Sequence, residues 1–375
     1  SLGACRCRAR VGGLAFNELQ RPGRRPTSPH RRATVTATAT AAVAATAAVT
    51  VTAAVTVTVS VPGIVGSVKL KIAAVVLVAL FGALAWTFVK RPLPVPEGAG
   101  PALPAAAPAE GVRLSIIRGA EMSAQEGFSV RGGSLMKSFI SSVAAFVVEH
   151  PRGTLLIDAG VGRDVAEHFE ATPFLLRALT ELSPLRATLD VLEERGLAPD
   201  ELEGIILTHA HWDHVSGLDD LRTVPVWMTP EELDFARTDE LGGELYRRLE
   251  ASGPIELREL QLTDSAYGPF ASSVDFFDDG SVIIVPMPGH TPGSVGVFVT
   301  DAEGTRALLI GDTSWTKEGV EWPAEKPWLA KRLADSDAAG VREQLVLLHR
   351  LQRANPRLLI VPAHDHRIHA KIPDF

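Results

Sequence analysis

Cysteine is almost absent. Cys5 and Cys7 stand near the start, and none follows from Arg8 to Phe375. No disulfide framework and no thiol chemistry can belong to the rest of the chain. Basic charge is also missing where a polyanion binder would need it. Residues 101–375 hold 25 Lys/Arg against 42 Asp/Glu, a balance of −17, whereas residues 1–100 hold 12 against 2. A field of that sign repels phosphate backbones, so nucleic acid is not an expected partner. No Gly-x-Ser-x-Gly elbow occurs, which leaves serine-hydrolase chemistry without support. Gly160-Val-Gly162 lacks the third glycine of a dinucleotide fingerprint and reads as a turn. Apolar residues, by contrast, are plentiful. They make up 46% of 375 residues against 22% charged, which rules out a wholly disordered chain.

The composition divides the chain. Residues 1–67 are Arg/Gly/Pro-rich and then almost pure Ala, Thr and Val, as in Thr50–Val61. Such low complexity specifies no unique packing, and this stretch is expected to lie outside the folded protein. Its Val/Thr alternation has strand propensity without an obvious partner. Residues 68–91 place Lys69 and Lys71 before 18 uncharged, mostly apolar residues, Ile72–Val89, closed by Lys90-Arg91. The pattern fits a membrane anchor or a signal peptide cleaved after Ala83-Leu-Ala85. Either would place the following domain on the periplasmic or extracellular side. Because the chain starts with Ser and an export-type basic segment begins at Val68, residues 1–67 are expected to be upstream sequence joined by an over-extended start. Residues 92–110 carry six prolines and many alanines, an extended linker expected to hold a domain off a membrane. Residues 111–375 form the folded domain.

In that domain strands and helices alternate. Val143–Glu149 and Thr154–Asp158 flank a Pro-Arg-Gly turn. Gly204–Thr208, Val224–Met228, Ser281–Val285, Ser294–Val299, Arg306–Ile310 and Arg357–Val361 read as strands. Phe174–Glu181, Arg186–Glu194, Pro230–Thr238 and Val341–Arg353 read as helices. The pattern predicts a mixed α/β (α+β) sandwich.

The chemistry begins at Thr208-His209-Ala210-His211-Trp212-Asp213-His214, directly after a buried strand. On extended backbone alternate side chains share a face, so His209 and His211 can point together. After the turn, Asp213 and His214 can address a second point. Three imidazoles and a carboxylate in so short a span suit zinc or another borderline divalent ion. His290 in Pro288-Gly-His-Thr-Pro-Gly-Ser294, Asp312 in Gly311-Asp-Thr313 and His364 in Val361-Pro-Ala-His-Asp365 each follow a strand as well. Seven donors can thus converge on one sheet edge. His150, His168 and His349 read as turn, surface or cap residues. His366 and His369 read as lying outside the ligand set.

This order of motifs, His-x-His-x-Asp-His, then Gly-His-Thr-Pro-Gly, then Asp, then His, resembles the metallo-β-lactamase fold superfamily over about residues 112–370. The resemblance implies an αββα sandwich with two divalent metal ions, zinc first among the candidates, at one sheet edge. It implies that His209, His211 and His290 hold one ion, Asp213, His214 and His364 the other, and that Asp312 bridges them. Asp158, in Leu156-Ile-Asp-Ala-Gly160, matches a position that supports the site from behind. The implied reaction is attack of a hydroxide shared by the two ions on an ester or lactone. Asp213 and Asp312 are the catalytic carboxylates, and Asp312 accepts and returns the proton.

Within the superfamily the pattern is most similar to the N-acyl homoserine lactonase-like branch. Some lactamases of the fold carry Cys where Asp312 stands, which this domain lacks. The glutathione-binding helical extension of glyoxalase II-like thioesterases is not expected, with 11 residues after His364. Trp315 departs from the lactonase pattern, which has a tyrosine there; an indole donates a hydrogen bond but is no phenol acid. A thioesterase or phosphodiesterase of the same fold stays open. So do a single-iron oxidoreductase and a non-catalytic metal-binding membrane protein. The expected partners are a small ester or lactone and, through residues 68–91, a membrane. Substrate selection is expected from the loop Gly127–Phe139, with Phe139, and from Trp315–Trp328, with Trp315 and Trp322 forming an apolar wall.

Overall fold

The computed structural model describes residues 34–39, 55–60, 75–76, 78–79, 82–83 and 85–375. Most of segments 1–67 and 68–84 lies outside the described residues. The chain divides into two units, Ser1–Ala79 and Leu80–Phe375. In the first, β1 (Thr34–Ala39) pairs antiparallel with β2 (Val55–Ser60), Thr34 opposite Ser60. The two Val/Thr runs thus supply each other's partner, which the sequence reading did not find. Among the described residues no helix is long and apolar enough to cross a membrane.

The second unit holds two sheets. The larger is built from β3 (Arg113–Gln125), β4 (Ser138–His150), β5 (Gly153–Ile157), β6 (Glu181–Pro184), β7 (Leu202–Ile206), β8 (Val226–Met228) and β9 (Leu257–Glu259). Its spatial order is β6-β3-β4-β5-β7-β8-β9, antiparallel on one side and parallel from β5 onward. The smaller is built from β10 (Val274–Asp275), β11 (Val282–Pro286), β12 (Val295–Thr300), β13 (Arg306–Leu309) and β14 (Leu359–Val361), in that order.

Apolar residues on both faces of the strands explain the layering. Along β11, Val282 and Ile284 face the other sheet, while Ile283 and Val285 face the helix Ala338–Ala354. Along β4, Ala144, Phe146 and Val148 enter the same inter-sheet core, and Ala145 and Val147 pack outward under helices. That period of two, with both sets buried, requires a cover on each side. Helix Ala338–Ala354 provides one cover through Val341, Leu345, Leu348 and Leu351, one stripe at helical spacing. Helices Thr188–Glu194 and Glu244–Ser252 provide the other. The result is the expected αββα sandwich.

Several element boundaries move by a few residues, and three expectations change. The polar strand β3 was not foreseen: it mixes Arg, Ser, Glu and Gln with a bulge between Arg118 and Ala120, which breaks the alternation that marks strands. Gly127–Phe139 is not one loop, since Glu126–Ser129 forms a short helix and Phe139 lies on β4. Residues 92–110 do not extend away from the domain. Leu93 N donates to Pro323 O at 2.8 Å, Arg350 Nη2 to Ala99 O at 3.0 Å, Arg306 Nη1 to Pro104 O at 2.8 Å and Ala109 N to Asp301 O at 3.0 Å. Prolines supply an extended backbone, and the domain pairs with N–H and C=O groups of the segment alike.

Candidate metal centre

Five strands end at one edge, and each delivers part of the site. Asp158 follows β5, Thr208–His214 follows β7, His290 follows β11, Asp312 follows β13 and His364 follows β14. The donors fall into two groups. His209, His211, His290 and Asp312 form one, and Asp213, His214 and His364 the other. Within each group the donor atoms lie within 4.8 Å of one another. All are buried except His211, which is half-buried.

Asp312 faces both groups with different oxygens. Its Oδ2 lies 3.5 Å from His290 Nε2, and its Oδ1 lies 3.4 Å from His214 Nε2 and 3.0 Å from His364 Nε2. His290 Nε2 lies 2.8 Å from His211 Nδ1 and 3.2 Å from His209 Nε2. Asp213 Oδ2 lies 3.3 Å from His364 Nε2.

The electrostatics sort the histidines. Burial, reinforced by neighbouring imidazoles, holds His209 and His211 well below the usual histidine range. Burial and the Lys326 ammonium lower His290. These three are neutral, with lone pairs available. Burial opposes the charged form of His214 too, but Asp158 outweighs it and holds that group well above its ordinary value. His364 is raised against burial by Asp312, and Asp312 is held well below the carboxylate range, against burial, by His364 and His214. His214 Nε2 is buried without a hydrogen-bond partner. Three neutral imidazoles in one group, an ionised carboxylate facing both groups and an orphaned buried ring nitrogen fit divalent cations, whose charge would take the place of the protons that the carboxylates hold on His214 and His364.

A second layer fixes the donors. Asp158 Oδ2 lies 2.8 Å from His214 Nδ1, and its Oδ1 accepts from Thr208 N at 2.7 Å. Asp158 adopts φ +59°, a left-handed conformation unusual for a non-glycine residue and found where geometry is imposed by function. His364 Nδ1 lies 3.0 Å from Ser142 O. Each contact turns the other ring nitrogen inward, the usual means of orienting a metal-binding imidazole. A Cβ at Gly242 would lie 2.7 Å from His211 Nε2, so only glycine fits beside that ring.

Three residues of this layer escaped the sequence reading. Glu232 is buried and accepts from Ala210 N at 2.7 Å, Thr291 Oγ1 at 2.6 Å and Gly293 N at 3.1 Å. It ties the His-x-His loop to the Gly-His-Thr-Pro-Gly loop. Burial pushes its carboxyl up to about 7. Lys326 Nζ donates to Asp335 Oδ1 at 2.6 Å and to Asp312 O at 2.7 Å, while Asp335 Oδ1 lies 2.8 Å from His290 Nδ1.

The remaining predicted positions divide. Trp315 Nε1 donates to Asp312 Oδ2 at 2.7 Å, and its ring lines an apolar cavity that opens on His211, Asp213, Asp312 and His364. Phe139 and Trp322 do not line that cavity. Phe139 packs on His366, with ring centres 5.6 Å apart, and Trp322 lies under Lys90 Nζ at 3.2 Å. Met122, Phe128, Phe169, Leu176, Trp212 and Leu333 are among the residues that form the apolar walls instead. His366 and His369 bond backbone carbonyls and stay outside both donor groups, as expected. His168 is not a surface residue: it is buried, with Nδ1 at 2.9 Å from Ser216 Oγ.

The family model of the metallo-beta-lactamase superfamily matches residues 140–364, from β4 to the last histidine of the cluster. The chain belongs to the metallo-beta-lactamase superfamily. A relative named "Probable metallo-hydrolase" in Mycobacterium tuberculosis (strain ATCC 25618 / H37Rv) is 30% identical over 230 residues, 58% of this chain and 73% of that protein. Membership and this relative make the chain a metal-dependent hydrolase. An N-acyl homoserine lactonase of Bacillus thuringiensis is 25% identical over 182 residues, 48% of this chain and 66% of its own length. Among solved structures, an N-acyl homoserine lactone hydrolase with N-hexanoyl-L-homoserine bound at its catalytic metal centre aligns with a TM-score of 0.55. That likeness covers 70% of this chain and 97% of the other at 18% identity, and it concerns the fold.

Proposed function

We propose that this superfamily member hydrolyses an ester or lactone bearing an apolar substituent, with two divalent ions, zinc first among the candidates. The observation that carries the reading is the direct opening of the seven-donor cluster into an apolar cavity. His209, His211, His290 and Asp312 would hold one ion, and Asp213, His214 and His364 the other, with Asp312 facing both groups. When bound, such ions polarise a carbonyl and make water acidic enough to ionise near neutral pH.

The chain's own residues supply the rest. The cavity walls exclude water and hold the apolar part of the substrate. Trp315 fixes Asp312 Oδ2. Asp312, buried between the two donor groups, is the carboxylate placed to take a proton and return it to the leaving oxygen. The lactonase relatives support an ester or lactone over a thioester or phosphodiester. Export of the domain is proposed from the pattern Lys69, Lys71, an apolar run and Ala83-Leu-Ala85 alone; Trp86, Phe88 and Lys90 pack on the domain, and the apolar residues before them are too few to span a membrane.

The test uses the full chain against acyl homoserine lactones, aryl esters, an acyl-glutathione thioester, a phosphodiester and a cephalosporin, with Asp312→Ala and His211→Ala as controls. The expected result is lactone or ester turnover lost in both variants. Turnover of the phosphodiester or thioester alone would overturn the substrate assignment.

A further inference from the structure

Residues 85–111 precede the segment matched by the family model, yet their first part reaches the catalytic cavity. Phe88 lines it, half-buried, and packs edge-on against Phe128, another wall residue, with ring centres 5.7 Å apart. This placement is fixed from two sides. Gly132 N donates to Phe88 O at 2.9 Å and Arg131 Nη2 to Trp86 O at 3.2 Å. Lys90 Nζ lies 3.2 Å over the Trp322 ring, and Leu93 N donates to Pro323 O at 2.8 Å. Gly132 has φ +90°, and a Cβ there would lie 2.6 Å from Lys90 Cβ. Any other residue would push the segment off. The segment therefore joins the loop around residue 132 to the loop carrying Trp322, and it places one aromatic ring in the cavity between them.

We propose that residues 85–93 form a working wall of the catalytic cavity, and that Phe88 sets how long an apolar substituent the site accepts. The inference rests on the proposed ester or lactone reading for its substrates but not for its geometry. Phe88 packs on Phe128 and is not itself one of the metal donors. Its substitution alters the space for the apolar group.

The experiment uses the full chain and lactones and aryl esters of graded acyl length, comparing wild type with Phe88→Ala, Phe88→Trp and Lys90→Ala. Phe88→Ala shifts the preferred length upward and Phe88→Trp downward. The expected change is about tenfold in KM for the longest acyl groups, the scale of one or two methylenes in an apolar pocket. Lys90→Ala, which loosens the attachment to Trp322, flattens the length preference. An identical length profile in all four proteins would overturn the proposal. Decanoate binding, followed by tryptophan fluorescence, gives a readout without turnover. If wild type hydrolyses nothing in the series, the functional reading fails, and this binding decides the wall. Unequal decanoate affinities in wild type and Phe88→Ala support it, and equal affinities overturn it.

Discussion

Glu232 accepts a hydrogen bond from Ala210 N at 2.7 Å, so a buried carboxylate on one helix holds the backbone between His209 and His211. The same carboxylate holds Thr291 and Gly293, next to His290. Three donors of one group are therefore positioned by a residue that binds no metal itself. Glu232→Ala leaves three buried donors unmet, an expected cost on the order of 3 kcal/mol in a denaturant melt. Metal affinity is expected to fall about 10–100-fold. Competition with a chelator measures it, and an unchanged affinity would remove Glu232 from the site. Glu232→Gln keeps one acceptor oxygen and should recover part of both losses.

Lys326, Asp335 and His290 form a buried chain behind the first donor group. Asp335 is held below the carboxylate range, against burial, by Lys326. Asp335→Asn weakens the acceptor that orients His290 and should lower metal affinity about 10–100-fold. Lys326→Met leaves Asp335 charged and buried, a change of about 3–5 kcal/mol in stability. Equal stability of Lys326→Met and wild type would contradict a working ion pair.

Trp315→Phe keeps a ring in the cavity wall and removes the N–H that fixes Asp312. A hydrogen bond to a charged group contributes about 1.5–3 kcal/mol, so kcat/KM should fall about 10–100-fold. The loss is expected in kcat, with KM changed little. A loss confined to KM would make Trp315 a wall residue only.

His369 gives the pH dependence. Burial holds its imidazole down at about 4, against 6.5 for an ordinary histidine. The unfolded chain then binds a proton near pH 6.5 that the folded chain refuses until about pH 4. Stability contributed by neutral His369 is complete above that window and is lost as pH falls through it, by about 3 kcal/mol in all. The difference between wild type and His369→Phe isolates this group from other carboxylates. That difference should change between pH 4 and 6.5 and be level above; a level difference throughout would contradict it.

The metal donors were legible because each residue type is costly to bury without a partner and each sits where a buried apolar run ends. Thr208–His214 shows this most plainly. Pro230–Thr238 was legible from Pro230, a first-turn proline. Glu232 was hidden within that helix, and the structure turns its carboxylate into the site. Lys326 and Asp335 flank the short helix Trp328–Ala334, and only folding brings them to His290. Trp322 misled because apolar composition near Asp312 in sequence does not say which way a side chain points, and Phe139 because an apolar residue at the end of a loop does not say what it packs on. The cavity wall came instead from Phe128, Phe169, Leu176 and Leu333, spread over four segments.

The most direct test of the account is the metal stoichiometry of the full chain, by elemental analysis after equilibration with zinc and gel filtration. Two ions per chain are expected in wild type. His211→Ala should lose the ion of its own group, and Asp312→Ala, which faces both groups, should fall to one or none. One ion in wild type, or two retained in Asp312→Ala, would contradict a centre joined through that carboxylate.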